Sequence, residues 1–292
     1  MKKVLITGID SFTGAHLSSY LKSFGYDIYG TSLFSIGDKK YKCDITLKDD
    51  ILTVLREIVP DYIIHLSGIS FAAHGNNEDF YKVNVIGTTN ILDALIELDL
   101  SLKKVILASS ATVYGNQGLE VLDESLCPKP ANHYGASKYA MECLAAGYFD
   151  KLPIIITRPF NYTGIGQAEH FLIPKIVSHY KDKKETIELG NLNVSREFND
   201  VEFVCEVYKR LLECEANAET VNISSNKGIE LLNVIDMMNK IAGYKIKVKV
   251  NPEFVRKDEI KSLTGSPEKL FRMIGKIEQK NFEETLKDMF EN

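Results

Sequence analysis

Short apolar runs alternate, over the first half of the chain, with segments whose apolar residues recur at helical spacing. The runs predict strands at 2–7, 27–34, 61–67, 103–110 and 152–159. The periodic segments predict helices at 14–25, 48–59, 79–98 and 134–149. Strands that are apolar throughout and separated by helices are typical of a parallel sheet covered on both faces. We therefore predict an α/β fold with a doubly wound parallel sheet, whose ligands bind at the carboxyl ends of the strands.

The alternation becomes less regular beyond residue 160. Residues 195–213 predict a helix with Asp200 as its N-cap, and residues 220–225 predict a sixth strand. Two or three helices and a strand at 245–250 are predicted in the tail. We expect a dinucleotide-binding domain at 1–160, to which parts of 195–225 return. A smaller C-terminal α/β lobe, built from 161–194 and 226–292, would bind the substrate.

Composition and charge narrow the classes of partner. The chain has 292 residues, enough for one large core or two unequal lobes. Its net charge is −5 with acids and bases interspersed, which argues against nucleic acid as a partner. No run approaches the roughly 20 apolar residues that span a bilayer, so we expect no membrane partner. The five cysteines are scattered without a C-x-x-C pair, which favours reduced thiols, a cytoplasmic location and no metal site.

The segment ITGIDSFTGAHL, at 6–17, is a candidate phosphate-binding turn between a strand and a helix. A glycine at position 8 allows a tight turn, and one at position 14 lets the helix approach the strand. Serine replaces the usual middle glycine, but its N–H and hydroxyl can also donate to phosphate. An ordinary strand-turn-helix without a ligand is the alternative. We predict cofactor contacts from Gly8, Ser11, Phe12, Thr13 and Gly14.

The end of the second predicted strand bears on the choice of dinucleotide. An acid there would bind the ribose hydroxyls of NAD, but the residues at this place are Thr31 and Ser32. Without a carboxylate a 2′-phosphate meets no repulsion, and Lys39, Lys40 and Lys42 follow. This favours NADP(H) over NAD(H), although the same lysines would suit a solvated loop.

A candidate catalytic group follows on the fourth predicted strand and the fourth helix. Tyr134 and Lys138 lie four residues apart, on one helix face. A lysine ammonium favours the phenolate and lowers a phenol pKa from its usual value of roughly 10. Ser109 and Ser110 end the strand, where a hydroxyl can bind a substrate carbonyl. The Tyr/Lys spacing alone also fits a surface pair, but the serine, tyrosine and lysine in this order predict hydride-transfer chemistry.

The chain resembles the extended short-chain dehydrogenases/reductases, the NAD-dependent epimerase/dehydratase family, in the branch acting on nucleotide sugars. It is most similar there to the GDP-4-keto-6-deoxy-D-mannose reductases. The resemblance implies a Rossmann-type fold, an NAD(P) cofactor, a nucleotide-sugar substrate and deoxysugar or polysaccharide biosynthesis. The segments that carry it are TGIDSFTGAHL, CDIT, IIHLSG, YKVNVIGTTNIL, SSATVYG, YGASK, RPFNYTGIGQ, SREFNDVEFV and RKDEIKSLTGSPEKL.

The resemblance also implies roles for the residues of the reaction centre. Ser110 matches the strand-end hydroxyl, and Tyr134 matches the acid/base. Lys138 matches the residue that lowers the pKa of that tyrosine and binds the nicotinamide ribose. Asp44 and Ile45 match the contact to adenine.

Further positions match the groove for the rest of the cofactor and substrate. Leu66, Ser67 and Gly68 match its pyrophosphate and ribose wall, with Asn84 in the helix that follows. The stretch 158–161 matches the end of strand five near the nicotinamide and substrate, and includes Pro159 and Asn161. Arg196 and Arg256 match the basic residues that meet the sugar diphosphate.

Other interpretations stay open for some of these residues. Arg158 is equally well interpreted as structural, and Arg196 could form a surface ion pair with Glu197 or Asp200. His65 is expected to be a core histidine. Lys257 stands where the GDP-4-keto-6-deoxy-D-mannose reductases usually have proline, so the loop around Arg256 departs from their pattern.

The family also implies a homodimer, formed by the two long helices at 79–98 and 134–149. Phe80, Val83, Tyr139 and Leu144 could supply apolar contact there or face the sheet.

The residues after the strand-end serine discriminate between reactions of the implied class. A dehydratase carries acids there, and an epimerase/reductase of the GDP-fucose synthase type carries a cysteine, but this chain has Ala111 and Thr112. This leaves a 4-ketoreductase and a 4-epimerase. The closer segment matches and the missing acid after the second strand favour reduction of the 4-keto group of an NDP-4-keto-6-deoxyhexose by NAD(P)H. An NAD-dependent NDP-hexose 4-epimerase is the alternative. A non-catalytic NADP-binding redox sensor is a hypothesis of another class, disfavoured by the Tyr/Lys pair that such sensors usually lack.

Overall fold

The computed structural model of this protein describes residues 2–70, 75–255 and 261–292. Its α-helices are α1 (Phe12–Ser23), α2 (Lys48–Ile58), α3 (Asn77–Tyr81), α4 (Thr88–Glu97), α5 (His133–Ala146), α6 (Leu172–Lys181), α7 (Val201–Glu213), α8 (Leu231–Ala242), α9 (Glu268–Ile274) and α10 (Phe282–Glu291). A π-helix, Lys82–Gly87, joins α3 to α4, and short 3₁₀ turns form at Ala111–Tyr114 and Pro252–Phe254.

The strands are β1 (Lys3–Thr7), β2 (Asp27–Ser32), β3 (Lys40–Lys42), β4 (Tyr62–His65), β5 (Lys104–Ala108), β6 (Val121–Leu122), β7 (Ile154–Pro159), β8 (Tyr162–Thr163), β9 (Thr186–Leu189), β10 (Ser195–Glu197), β11 (Asn199–Asp200), β12 (Glu219–Ile223), β13 (Gly228–Glu230), β14 (Lys247–Val250) and β15 (Ser262–Gly265). Strand β3 was not predicted, because three residues are too short to show an apolar run.

Seven strands form one large parallel sheet in the order β12-β7-β5-β4-β1-β2-β3. The predicted doubly wound parallel sheet is confirmed. From β1 the chain builds outward through β2 and β3, and then returns to build through β4, β5, β7 and β12. The switch in direction lies between β1 and β4, whose last residues, Thr7 and His65, are paired in register. A crevice at such a switch point is where ligands bind in this architecture.

Apolar side chains cover the sheet on both faces. Leu17 of α1 and Val204 of α7 belong to the cluster on one face. Leu55 of α2, Leu92 of α4 and Met141 of α5 belong to the cluster on the other. Burial on both faces explains why the central strands are apolar throughout instead of alternating with polar residues.

The later part of the chain differs from the prediction in one segment. The helix expected at 195–213 begins only at Val201, since β10 and β11 precede it. Asp200 is its N-cap, as predicted, and accepts a hydrogen bond from Glu202 N at 2.7 Å. The predicted sixth strand, β12, pairs with β7 at the edge of the large sheet. The division into a lobe at 1–160 and a lobe at 161–194 with 226–292 remains a prediction.

A second group of elements builds on the segments after β7. The four strands β13-β10-β15-β6 form a separate sheet, and β9 pairs with β14. A third apolar cluster packs α6, α8 and α10 together. Among the described residues, no helix is both long and apolar enough to cross a bilayer.

Candidate active site

The glycine turn after β1 lies at the switch point of the sheet. Gly8 has a φ of 70°, and a Cβ there would lie 3.0 Å from the backbone nitrogen of Ser67. A Cβ on Gly14 would overlap the carbonyl oxygen of Gly8. The N–H groups of Gly8 and Ile9 donate to the carbonyl of Thr31 at 3.0 and 3.1 Å. The two glycines therefore let the turn pack tightly against β2 and the end of β4.

The serine at the middle position of the turn caps α1. Ser11 has an extended backbone, and its Oγ accepts a hydrogen bond from Gly14 N at 3.1 Å. The side chain is exposed, and its hydroxyl hydrogen can still donate outward. Ser11, in the place of the usual middle glycine, is therefore an ordinary N-cap. The N–H groups of Phe12 and Thr13 follow it in the first turn of α1.

Tyr162 was not predicted as a site residue, although it directly follows Asn161. Its phenol lies 2.7 Å from Thr13 Oγ1, and its ring stacks on Phe12 at 6.1 Å between centroids. Burial raises the pKa of Tyr162 to about 12, so the phenol is neutral. The contact joins the segment after β7 to the glycine turn across 149 residues of chain.

The end of β2 carries a carboxylate from another part of the chain. Asp10, in the glycine turn, accepts hydrogen bonds from Ser35 Oγ and from Lys40 Nζ, the latter at 2.6 Å. Hydrogen bonds from Lys40, Ser32 and Ser35 lower the pKa of Asp10 to about 2. The sequence shows no acid at Thr31 and Ser32, but the fold brings one there from the preceding turn.

The three predicted lysines are separated by the fold. Lys40 pairs with Asp10 at this end of β2, whereas Lys39 pairs with Asp27 at the opposite end of the strand. Lys42 is exposed and lies opposite Ser32 in the β2–β3 register. Lys40 and Lys42 are thus the lysines placed near the expected adenosine ribose.

The turn at 43–46 lies against the same strand end. Cys43 N donates to the Ser32 carbonyl at 2.9 Å. The Asp44 carboxylate accepts from the amide and the hydroxyl of Thr46 at 2.9 and 2.8 Å. Ile45 is buried against Gly87, where a Cβ would lie 2.6 Å from its Cδ1. The Asp44 carboxylate therefore shapes this turn.

The end of β4 forms the opposite wall of the crevice. The N–H groups of Leu66 and Ser67 donate to Thr7 Oγ1 at 3.2 and 3.1 Å. A Cβ on Gly68 would lie 2.8 Å from Asn84 Oδ1 and 3.3 Å from Lys138 Nζ. A glycine here thus lets Asn84 of the π-helix and Lys138 of α5 approach the end of β4 closely.

Asn84 belongs to the π-helix, a form of helix that is frequent at functional sites. Its Oδ1 accepts from Ile69 N at 2.9 Å, and its Nδ2 donates to Ser137 Oγ at 3.0 Å. The side chain therefore fixes the segment after β4 against α5.

His65 is a core histidine, as predicted. It is buried, with Nδ1 2.7 Å from Thr7 Oγ1 and Nε2 2.9 Å from Thr88 Oγ1. Burial lowers the pKa of His65 to about 3, so it is neutral and adds no charge to the crevice.

The three predicted catalytic residues come together at the carboxyl end of β5. Asn132 caps α5 through Gly135 N at 2.8 Å, which places Tyr134 in its first turn. Burial raises the pKa of Tyr134, and a hydrogen bond with Ser110 acts in the opposite direction. Lys138 Nζ donates to the Ala108 carbonyl at 2.7 Å. Burial lowers the pKa of Lys138 to about 8.

Arg158 lies in the interior, as the structural interpretation requires. Its Nη2 is 2.6 Å from Oε2 of Glu142, which was not predicted as a site residue. Pro159 ends β7, and Asn161 is exposed, with its carbonyl accepting from Asn199 N at 2.9 Å. Of the stretch 158–161, Asn161 is therefore the exposed polar side chain.

The predicted diphosphate ligands are described in part. Arg196 lies on β10, and its Nη1 donates to the Ser195 carbonyl at 2.8 Å. Glu197 is buried and accepts from Ser224 and from the N–H groups of 225, 226 and 265. Asp200 caps α7 and pairs with Lys280 at 3.0 Å. Arg256 lies outside the described residues.

Comparison with known proteins gives a family and close relatives. The family model for GDP-mannose 4,6 dehydratase matches residues 5–289. The GDP-6-deoxy-D-talose 4-dehydrogenase of Aggregatibacter actinomycetemcomitans is 35% identical over 274 residues, covering 94% of this chain and 91% of that protein. The GDP-6-deoxy-D-mannose reductase of Pseudomonas aeruginosa is 28% identical over 285 residues, with the same shares, 94% and 91%.

Two solved structures are similar over nearly their whole length. A candidate epimerase from Burkholderia cenocepacia J2315 has a TM-score of 0.94 and 39% identity, covering 99% of this chain and 97% of that one. RMD from Pseudomonas aeruginosa, solved with NADPH, has a TM-score of 0.87 and 25% identity, covering 100% and 97%.

Proposed function

We propose that this protein, which belongs to the GDP-mannose 4,6-dehydratase family, is an NAD(P)H-dependent 4-ketoreductase. Its substrate would be a GDP-4-keto-6-deoxyhexose, and its product the GDP-6-deoxyhexose. The observation that carries the proposal is the convergence of Ser110, Tyr134 and Lys138 at the carboxyl end of β5. The names of the talose 4-dehydrogenase and the mannose reductase support GDP as the nucleotide and oxidation or reduction as the reaction.

The residues at the switch point fit a dinucleotide. Gly8 lets the turn approach the end of β4 closely, Gly68 lets Asn84 and Lys138 approach that end, and the start of α1 supplies N–H groups for a pyrophosphate. We propose NADP(H) as the preferred form, with Lys40, Lys42 and the Ser32 hydroxyl around the 2′-phosphate. The NADPH in the RMD structure supports this choice. Asp10 weakens the preference for NADP(H) over NAD(H), because its carboxylate offsets the charge of Lys40.

The mechanism assigns each side chain one task. A bound NAD(P)H would supply the hydride to C4 of the sugar. Tyr134, which burial keeps protonated, donates its phenolic proton to the C4 oxygen as the new C–H bond forms. Ser110 hydrogen-bonds the same oxygen, and the Lys138 ammonium stabilises the phenolate that is left. Solvent then returns the proton to Tyr134.

The site argues against dehydration, the reaction for which the family is named. Ala111 and Thr112 follow Ser110, and neither can act as a carboxylic acid or base. Glu142 is an acid that lies near the end of β5, but Arg158 and Ser109 bind its two oxygens. A carboxylate held in this way is not available to remove a proton at C5.

The sugar diphosphate would bind to the segments after β7. We propose Asn161, Arg196 and Arg256 as its ligands and 161–194 with 226–292 as the nucleotide-sugar-binding lobe. We also propose a homodimer through the π-helix region and α5, where Tyr81, Ile86 and Leu144 are exposed. Phe80 is instead fully buried, with its ring centroid 6.1 Å from that of Tyr134. Sedimentation of the purified protein tests the dimer.

The second candidate function is 4-epimerisation, which the similarity to the candidate epimerase favours. An epimerase returns the hydride to the other face of the same sugar and consumes no cofactor. The two functions therefore differ in whether NAD(P)H is oxidised stoichiometrically.

The test incubates the protein with GDP-4-keto-6-deoxymannose and NADPH or NADH and follows cofactor absorbance. We expect oxidation of one cofactor for each sugar reduced. The C4 configuration of the product then assigns the 6-deoxytalose or the 6-deoxymannose series. The proposal is wrong if no 4-keto sugar oxidises the cofactor while a GDP- or UDP-hexose is inverted at C4.

A further inference from the structure

A buried ion pair lies behind the three catalytic side chains. Glu142 on α5 and Arg158 on β7 have side chains only 5% and 7% exposed. Arg158 Nη2 lies 2.6 Å from Oε2, and Nε lies 3.0 and 3.2 Å from the two carboxylate oxygens. The guanidinium packs on the ring of Tyr114, with Cζ 4.8 Å from its centroid. Nη1 is buried, with no hydrogen-bond partner among the described residues. The pair is therefore fixed in one geometry.

Glu142 continues the face of α5 that carries the catalytic pair. Tyr134, Lys138 and Glu142 follow each other at intervals of four residues, and all three are buried. Burial lowers the pKa of Lys138, and the Glu142 carboxylate acts in the opposite direction. Arg158 binds that carboxylate from β7 and offsets part of its charge. The carboxylate thus favours the protonated form of Lys138.

The same carboxylate also holds the end of β5. Ser109 Oγ donates to Glu142 Oε1 at 2.5 Å, and Ser109 directly precedes Ser110. Lys138 in turn donates to the Ala108 carbonyl. Two consecutive residues before Ser110 are therefore tied to α5, which carries Tyr134. Loss of Glu142 would release one of these ties.

We propose that Glu142 is a positioning residue that keeps Lys138 protonated and holds the Ser110 strand end against α5, with Arg158 as its fixed counter-ion. The inference rests on the proposed function, because it assigns Lys138 to the reaction centre.

The charge of Lys138 lowers the pKa of His65 on β4, which is neutral. Tyr134, one turn before Lys138 on α5, is kept neutral by burial. Asn84 Oδ1 and Lys138 Nζ both lie beside Gly68, and the Asn84 amide carries no charge. Among the described residues, the charge that raises the pKa of Lys138 is the Glu142 carboxylate.

The test compares the titration of Lys138 in wild type and in variants, by NMR of protein labelled with ¹³C at lysine Cε. Glu142→Gln alone leaves a buried guanidinium unpaired and can fail to fold. The main variant is therefore the double substitution Glu142→Gln with Arg158→Gln, which removes both charges. Glu206→Gln with Arg210→Gln, a half-buried ion pair on α7, is the control. Lys138→Arg identifies the resonance.

In the neutral double variant we expect Lys138 to titrate lower, by up to about 1 pH unit, because the carboxylate that favours its charged form is gone while Arg158 had offset only part of that charge. The alkaline limb of kcat/KM for ketone reduction should move down with it, while the control pair changes neither. A purely structural role predicts the wild-type titration once the fold is restored, and that result overturns the proposal. Glu142→Asp keeps the charge and should titrate closer to wild type than Glu142→Gln or the double variant does. Equal values for the aspartate and glutamine forms also overturn it.

The titration separates this inference from the proposed function, because it needs no substrate. If the wild type reduces no 4-keto sugar but Lys138 titrates lower in the neutral variant, the proposed function fails and the role of Glu142 stands. If the wild type is active and the titration does not move, only the role of Glu142 fails.

Discussion

The two ends of the proposed cofactor crevice, at the positions expected for nicotinamide and adenosine, hold their charges in different ways. At the nicotinamide end, Glu142 and Arg158 are almost completely buried and share three close contacts. At the adenosine end, Asp10 and Lys40 also pair, but their side chains are 45% and 30% exposed. Removing one charge of a buried pair leaves the other unpaired in the interior, which destabilises the fold. Exposed charges are screened by water, so the loss of one has a smaller effect. Substitutions should therefore abolish function at the first end and adjust it at the second.

The largest effect is expected from Tyr134→Phe at the nicotinamide end. Loss of the proton donor should lower kcat by roughly 10²- to 10⁴-fold, the usual contribution of a general acid. The cofactor Kd should stay within about twofold, because the ring and its packing against Phe80 are kept. Turnover of the 4-keto sugar and fluorescence titration with NADPH measure the two quantities. Near-wild-type turnover would remove Tyr134 from the catalytic role.

The two ion pairs can be compared directly by removing one cation from each. Arg158→Met leaves Glu142 buried without its partner and should lower the free energy of unfolding by about 3–5 kcal/mol. Lys40→Met should change it by less than about 1 kcal/mol, because Asp10 is open to solvent. Urea denaturation of both variants measures the difference. Similar losses in the two variants would contradict the contrast between the ends.

A smaller effect at the adenosine end concerns the choice of cofactor. Lys40→Ala should raise the KM for NADPH about three- to tenfold and leave the KM for NADH nearly unchanged, because only NADPH carries the 2′-phosphate. Salt should reduce the difference by screening. Lys39→Ala is the control, since Lys39 pairs with Asp27 at the far end of β2. Equal changes for both cofactors would mean that Lys40 does not meet the 2′-phosphate.

The smallest effect is expected from Ser11→Gly in the phosphate turn. The serine serves as an N-cap, and glycine at that position costs only a few tenths of a kcal/mol. Ser11→Ala loses the cap hydrogen bond and should cost about 1 kcal/mol. Thermal unfolding of the two variants separates these values. If alanine is as stable as glycine, the hydrogen bond to Gly14 adds nothing.

Local patterns predicted the sheet and the position of its motifs. Apolar runs mark strands buried on both faces, and Tyr134 and Lys138 share a helix face that their spacing fixes. The residues that were not predicted depend on contacts between distant segments. Asp10 meets Lys40 across 30 residues, and Tyr162 meets Thr13 across 149. The periodicity within one helix or strand carries no information about contacts between distant segments.

The helix predicted at 79–98 shows another limit of the sequence pattern. It is interrupted by the π-helix, because apolar spacing of three and four residues does not show where one turn takes an extra residue. Glu142 follows Tyr134 and Lys138 at the same four-residue spacing, so the sequence pattern already places it on the same helix face. Its proposed role depends on Arg158, which lies on β7, and on Ser109, which directly follows β5.

The π-helix at Lys82–Gly87 constrains the length of the chain as well as its composition. Its wide turn holds one residue more than a turn of α-helix, so a deletion within it would remove that turn and shift Asn84 along and around the helix axis. Asn84 would then leave Ile69 and Ser137, and with them the wall beside Gly68. An insertion or deletion in this helix should therefore be less tolerated than substitution at most of its positions.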